Sequence, residues 1–320
     1  MVRRLLFTLA LASLTFAAPA SAGGSLRAFV AAEDDDRLVA IDLGSRRVLR
    51  RIRVAPGPHN VASSTDGRFV LVTSPPSGRV TLVSARSLRV LKVFGGFGYP
   101  HDVKVAPGGR YAYVTDERRD RVVVLDLLRR RVVRRVSAGS GPHDLTVSPD
   151  GRRIWVTHGR GWSSVLVLGS GRPGRLVPRG NRRVGAGPHD LVFSPDGGRV
   201  WLTYWDSGRV GVADRSSGGV RRLVAGTEPH HLHVGRDLVW VTDHHGGRAA
   251  IFDADSARRL RTVRVGPSPH HVAGAGQFIV VASHDGGTIS VHRPLGRRLF
   301  TMRIGAGPHG VALAAVPDPG

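Results

Sequence analysis

The chain contains no cysteine. That excludes disulfides, thiolate nucleophiles, cysteine-ligated metal sites, attached c-type haem and a lipidated-cysteine anchor. Lysine is nearly absent as well: Lys92 and Lys104 are the only two, and arginine supplies every other basic residue. Aromatic residues make up 6% of the chain and are not interleaved with the arginines, which disfavours base stacking on single-stranded nucleic acid. No His-Glu-x-x-His spacing occurs, so the common helical zinc signature is missing. The apolar run Leu5 to Phe16 is too short for a comfortable membrane span, and no later stretch is longer.

That run has another reading. Arg3 and Arg4 precede it, and Ala20-Ser21-Ala22 follows with small residues where a signal peptidase reads. Residues 1–22 are therefore expected to be a cleaved signal peptide, and the mature chain to be exported. An exported chain without crosslinks must be stable through its core. The formal net charge of +23 admits an anionic partner but does not specify one.

What the chain has in place of these is a repeated phrase. Gly-Ala-Gly-Pro-His stands at 185–189 and 305–309, with variants at 55–59, 97–101, 139–143, 226–230 and 266–270. Its histidines are His59, His101, His143, His189, His230, His270 and His309, in steps of 42, 42, 46, 41, 40 and 39 residues. After each phrase comes an alternating segment such as His143-Asp144-Leu145-Thr146-Val147, the period of a strand. Asp-Gly turns follow at 66–67, 150–151 and 196–197, a strong hairpin signal. A β-branched second strand, a third strand and an arginine-rich fourth strand complete each unit.

Four short antiparallel strands every 40 or so residues predict a propeller blade. The mature chain opens without a first strand, and it closes on His309-Gly310-Val311-Ala312-Leu313, a first strand with nothing after it. The expectation is one all-β domain over 23–320: a seven-bladed propeller closed by the C-terminal innermost strand pairing with the N-terminal blade. Closure removes the open edges of a linear array.

The second strands carry Tyr113-Val114-Thr115-Asp116, Trp-Val-Thr-His at 155–158 and Trp-Val-Thr-Asp at 240–243. In these the chain resembles the YVTN-repeat, YncE-like seven-bladed propellers. The fourth motif position departs from asparagine throughout. The resemblance implies the fold over nearly all of the mature chain. It leaves function open among binding platforms, enzyme subunits and surface proteins.

The expected ligand face is the one bearing the seven Pro-His histidines, together with Trp162, Tyr204 and Trp205. Sheets spaced about 10 Å apart put the ring at a radius of roughly 11 Å and neighbouring imidazole nitrogens roughly 6 Å apart. Two ligands on one ion lie within about 4.2 Å, so a symmetric ring does not hold a single metal at that size. The preferred reading of His59, His101, His143, His189 and His309 is therefore structural: buried imidazoles hydrogen-bonded to the next blade.

The fifth and sixth repeats differ. His230, His231, His244, His245, His270, His271 and His284 crowd into one stretch, with Asp243 and Asp285 nearby. Imidazole favours zinc and copper, which makes these the candidate metal ligands and a transition metal, Cu or Zn, the candidate cofactor. Glu33 to Asp36 reads as a solvated acidic turn, because it lacks the spacing of a calcium loop.

No nucleophile–base pair is arguable from the sequence. The leading expectation is an exported, non-catalytic binding or scaffold propeller, with a small ligand or protein partner on the top face near the central channel. The runner-up is a metal-dependent enzyme or oxidoreductase accessory subunit using the 230–284 histidines. The third is a surface protein binding an anionic polymer along its arginine-rich rim.

Overall fold

The computed structural model describes residues 24–159, 161–170, 175–205, 207–216 and 219–317. The expected signal peptide lies outside them. The described residues form seven four-stranded antiparallel sheets, and the innermost strands touch one another in a closed circle. In blade 1 the C-terminal strand Pro308–Pro317 pairs with Gly24–Ala32, which pairs with Arg37–Asp42 and then Arg47–Arg53. Ala28 faces Leu313 and Gly24 faces Pro317, so head and tail share one sheet. The seven-bladed ring and its closure stand as expected.

Each blade hides its faces only against its neighbours. Seven separate apolar clusters fill the seven gaps between adjacent blades. Tyr113, Trp155, Trp201 and Trp240, all from second strands, are completely buried there. A flat aromatic carries a large apolar area into a wedge that widens outwards. The Asp-Gly turns form as the sequence predicts, with Gly67, Gly151 and Gly197 at φ of 68°, 67° and 70°.

Arginines of the outer strands, and of two second strands, have a use beyond charging an edge. Several cap backbone carbonyls of the adjacent blade. Arg27 donates to Ala85 O at 2.8 Å, Arg182 to Arg215 O at 2.7 Å, Arg199 to Ala254 O at 3.0 Å and Arg261 to Leu295 O at 3.0 Å. Arg51 and Arg221 do the same to Ile304 and Ser256. A guanidinium presents several donors in a rigid fork, which suits this bridging better than an ammonium.

The innermost strands carry the feature that builds the site. In blade 3, Pro100 pairs with Asp116 and Val103 with Val114, so His101 and Asp102 together oppose Thr115 alone. The same bulge recurs at 143–144, 189–190, 230–231, 270–271 and 309–310. A bulge breaks the alternation of side chains and re-aims them. The parity that aligns His101 with Val103 and Val105 in the sequence therefore does not hold across it.

The threonine of the motif repairs the gap. Asp102 N donates to Thr115 Oγ1 at 2.9 Å, and Thr115 Oγ1 donates to His143 O of the next blade at 2.7 Å. Thr73, Thr203 and Thr242 make the matching bonds to His101 O, His230 O and His270 O. The fourth motif position ties the Pro-His loop to its own blade with whatever chemistry it has. Asp116 accepts from Gly98 N and Tyr99 N, and Asp243 from Thr227 N and Glu228 N. His158 meets Ala138 O, Tyr204 donates to Val184 O, and Ser74 donates to Ala55 O.

Candidate metal centre at the channel mouth

With bulges in six blades, the seven Pro-His side chains gather at the channel mouth, where they form a closed circle of imidazoles. Going round, the centroid spacings are 4.9 Å for His59–His101, 3.8 Å for His101–His143 and 5.2 Å for His143–His189. They continue at 4.4 Å for His189–His230, 4.2 Å for His230–His270, 3.7 Å for His270–His309 and 3.6 Å for His309–His59. Neighbouring rings thus lie 3.6–5.2 Å apart, against the roughly 6 Å between imidazole nitrogens that sheet spacing gives.

The residue after each histidine shares the site, except after His309, where Gly310 has no side chain. Asn60, Asp102, Asp144, Asp190 and His231 are buried in a second tier, with His271 partly so. That tier is polarised, with carboxylates on blades 3 to 5 and imidazoles on blades 6 and 7. Asp144 lies 3.3 Å from His101 Nδ1 and 3.7 Å from His189 Nε2, and Asp190 lies 3.2 Å from His231 Nδ1. Lys104 closes the acidic side, with Nζ 2.8 Å from both Asp102 oxygens.

The hydrogen bonds expected of these imidazoles are mostly missing. His101 Nδ1 is 3.3 Å from His143 O, and His143 Nδ1 is 2.5 Å from Glu117. Yet a buried ring nitrogen has no hydrogen-bond partner on His59, His143, His189, His230, His270 and His309, nor on His271. The bond to the neighbouring blade runs through the histidine carbonyl and the threonine, so it does not require an imidazole. The expected ring bond to the adjacent blade is present for His101 and His143, while the buried Nδ1 of His59, His189 and His309 has none. Buried polar atoms left unpaired cost about 1–3 kcal/mol each, which makes such a concentration expensive to keep.

Protonation divides the circle. Burial, and behind it neighbouring positive groups, holds His59, His189, His231, His270, His271 and His309 well below the usual imidazole range, and His230 falls to about 3. His101 is the exception. Burial opposes its charge, but Asp144, Glu117 and Asp102 outweigh it and lift the group to about 9. Asp144 stays ionised despite burial, because His143, His101 and His189 surround it. The blade 3 side is thus a pre-formed ion pair, and the side of blades 5 to 7 is a set of neutral lone-pair donors.

Several triads bring one donor atom from each residue within 4.8 Å of the others: His189, His230 and His231; His231, His270 and His271; Glu33, His59 and His309; His101, His143 and Asp144; Glu228, His244 and His245. Neutral imidazoles at such separations suit zinc or copper after small side-chain rotations. Trp205 packs 3.9 Å from the His189 ring, over the circle. Trp162 stacks on His158 at 4.4 Å instead, and the Tyr204 side chain is buried within its blade. His284 pairs with Asp285 at 3.0 Å and reaches the circle only at its edge, 6.1 Å from His270.

Sequence reasoning left out Asp102, Asp144, Asp190 and the His189 share of a triad. A signal was present. Pro-His-Asp occurs in three consecutive repeats and Pro-His-His in the next two. Reading a bulge there puts both residues of each pair in one site.

No curated protein matches the chain in sequence. Among solved structures, the fold is similar to the hydrazine synthase of Kuenenia stuttgartiensis, at TM-score 0.74 and 19% identity over 83% of this chain and 91% of that one. It is similar to a functionally unknown protein from Desulfotomaculum acetoxidans DSM 771, at 0.76 and 15% over 91% and 99%. Apo AztD from Citrobacter koseri follows at 0.73 and 14% over 92% and 99%. Identities this low establish shared architecture and nothing finer. The family model for the YNCE-like beta-propeller matches residues 21–191, more than half of the chain, and on that match and the seven-bladed ring the protein belongs to this family.

Proposed function

We propose that this chain is an exported binding propeller that holds a transition-metal ion, zinc or copper, at the mouth of its central channel. The observation that carries this is the closed circle of seven imidazoles, six of which keep a buried ring nitrogen without a hydrogen-bond partner. His189, His230, His231, His270 and His271 supply the donors, on the side where protons are held off. Asp190 orients His231 from behind through Nδ1, the arrangement by which a carboxylate fixes a ligand imidazole. The ion pair of His101 with Asp144 neutralises the opposite wall. Trp205 limits access of water to His189.

Export rests on the leader expected over 1–22, and no helix among the described residues is long and apolar enough to cross a membrane. The rim reading is weakened, since several outer-strand arginines are engaged with neighbouring blades.

The test is metal analysis of purified, untagged mature protein, followed by titration with Zn²⁺ and Cu²⁺. Stoichiometric metal, lost when His230, His231, His270 and His271 are replaced by alanine, supports the reading. Absence of metal together with absence of uptake overturns it.

A further inference from the structure

Blade 6 carries a second constellation outside the circle. Of the residues before the seven repeated prolines, which are Gly57, Tyr99, Gly141, Gly187, Glu228, Ser268 and Gly307, only Glu228 is a carboxylic acid. One of its oxygens, Oε2, lies 2.6 Å from His245 Nδ1 and 3.5 Å from His244 Nδ1. A single ion pair with a protonated imidazole accounts for one of these approaches. His244 approaches the same oxygen beyond hydrogen-bond distance, and one donor atom from each of the three residues lies within 4.8 Å of the others, a separation that small side-chain rotations convert to shared coordination of one cation.

The backbone fixes the arrangement before any ligand arrives. His244 N donates to Glu228 O at 2.9 Å, and Glu228 N donates to Asp243 Oδ1 at 2.8 Å, locking the two loops together. The donors grade from outside to inside. The side chain of His245 is 69% exposed, that of His244 26% and that of Glu228 16%. His244 then faces the circle, its ring 5.3 Å from His230 and 5.2 Å from His270. Two imidazoles and a carboxylate are a zinc-type donor set that leaves a position for water or an incoming ligand.

We propose that Glu228, His244 and His245 form an outer site that takes a zinc-class divalent ion from solvent and passes it, through His244, to the buried histidines at 230, 231 and 270. This rests on the metal-binding reading above. Each step exchanges one donor for another on the same ion, and no electron moves. His244 is shared because it is the one imidazole in ring contact with both His245 and the circle's His230 and His270.

The experiment is stopped-flow uptake of Zn²⁺ alone by the mature chain, read with a competing chromophoric chelator, for wild type, Glu228→Gln, His245→Ala and His244→Ala. Circular dichroism confirms that each variant is folded. In all three variants the weaker equivalent of Zn²⁺ is lost and filling of the buried site slows by at least about tenfold, the scale on which loss of one supporting group weakens a metal site. Affinity at the buried site is unchanged in Glu228→Gln and His245→Ala. Wild-type stoichiometry and wild-type filling rates in these variants overturn the outer site and leave the buried one standing. Failure of wild type to take up Zn²⁺ overturns both.

Discussion

Thr115 offers the sharpest test of how the propeller is held together. Its hydroxyl accepts from Asp102 N at 2.9 Å and donates to His143 O of the next blade at 2.7 Å, and the residue is fully buried. Thr115→Val keeps the shape and removes both bonds. A lost hydrogen bond costs about 1 kcal/mol, and leaving the buried Asp102 amide unpaired adds about 1–3 kcal/mol, giving a total of about 2–4 kcal/mol. Thr115→Ser retains the hydroxyl and loses one methyl group, worth about 1 kcal/mol. Chemical denaturation followed by tryptophan fluorescence measures both. The valine variant is expected to be the less stable by at least about 1 kcal/mol. A valine variant within about 0.5 kcal/mol of wild type refutes the claim that the hydroxyl bridges the bulge, since that is the range of inconsequential substitutions.

Other outcomes follow from the same contacts. Gly310 sits where other blades carry Asn, Asp or His, and a Cβ there meets His59 O at 2.4 Å and Val61 N at 2.7 Å. Gly310→Ala therefore separates blades 1 and 2 and costs about 1–3 kcal/mol in urea unfolding, as overpacking does. His292 is buried, accepts from Ser290 Oγ at 2.9 Å and is held by burial at about 4. The unfolded chain takes up a proton below about pH 6.5 that the folded chain refuses, so stability is full above that pH and falls on acidification towards 4. A shift of that size is worth up to about 3 kcal/mol, and His292→Gln is expected to flatten the stability–pH curve by an appreciable part of it. Deleting residues 308–317 removes the innermost strand of blade 1, and calorimetry is expected to show loss of the single cooperative transition.

The ring was legible in the sequence because period, turn chemistry and strand alternation all point the same way. Seven Pro-His copies at near-equal steps, Asp-Gly at the hairpins and an orphan first strand at 309–313 leave one closed architecture. The site was less legible for a physical reason. A bulge is a one-residue departure in pairing, and Pro-His-Asp-Val-Lys-Val reads as an unbroken strand. Its consequence is that the histidine and the residue after it share one site and that neighbouring imidazoles come within 3.6–5.2 Å, closer than the roughly 6 Å given by sheet spacing. Nor does a single sequence show that Thr115, one blade away, occupies the histidine's backbone carbonyl. Without that bond, the imidazole looks like the group that joins the blades.

The central claim is that neutral imidazoles on blades 5 to 7 bind the ion directly. X-ray absorption at the zinc edge, on mature protein loaded with one equivalent of Zn²⁺, tests this most directly. The expected result is a first shell of nitrogen and oxygen at about 2.0–2.1 Å with the outer-shell scattering of at least three imidazoles. A shell of oxygen donors without imidazole scattering contradicts the account.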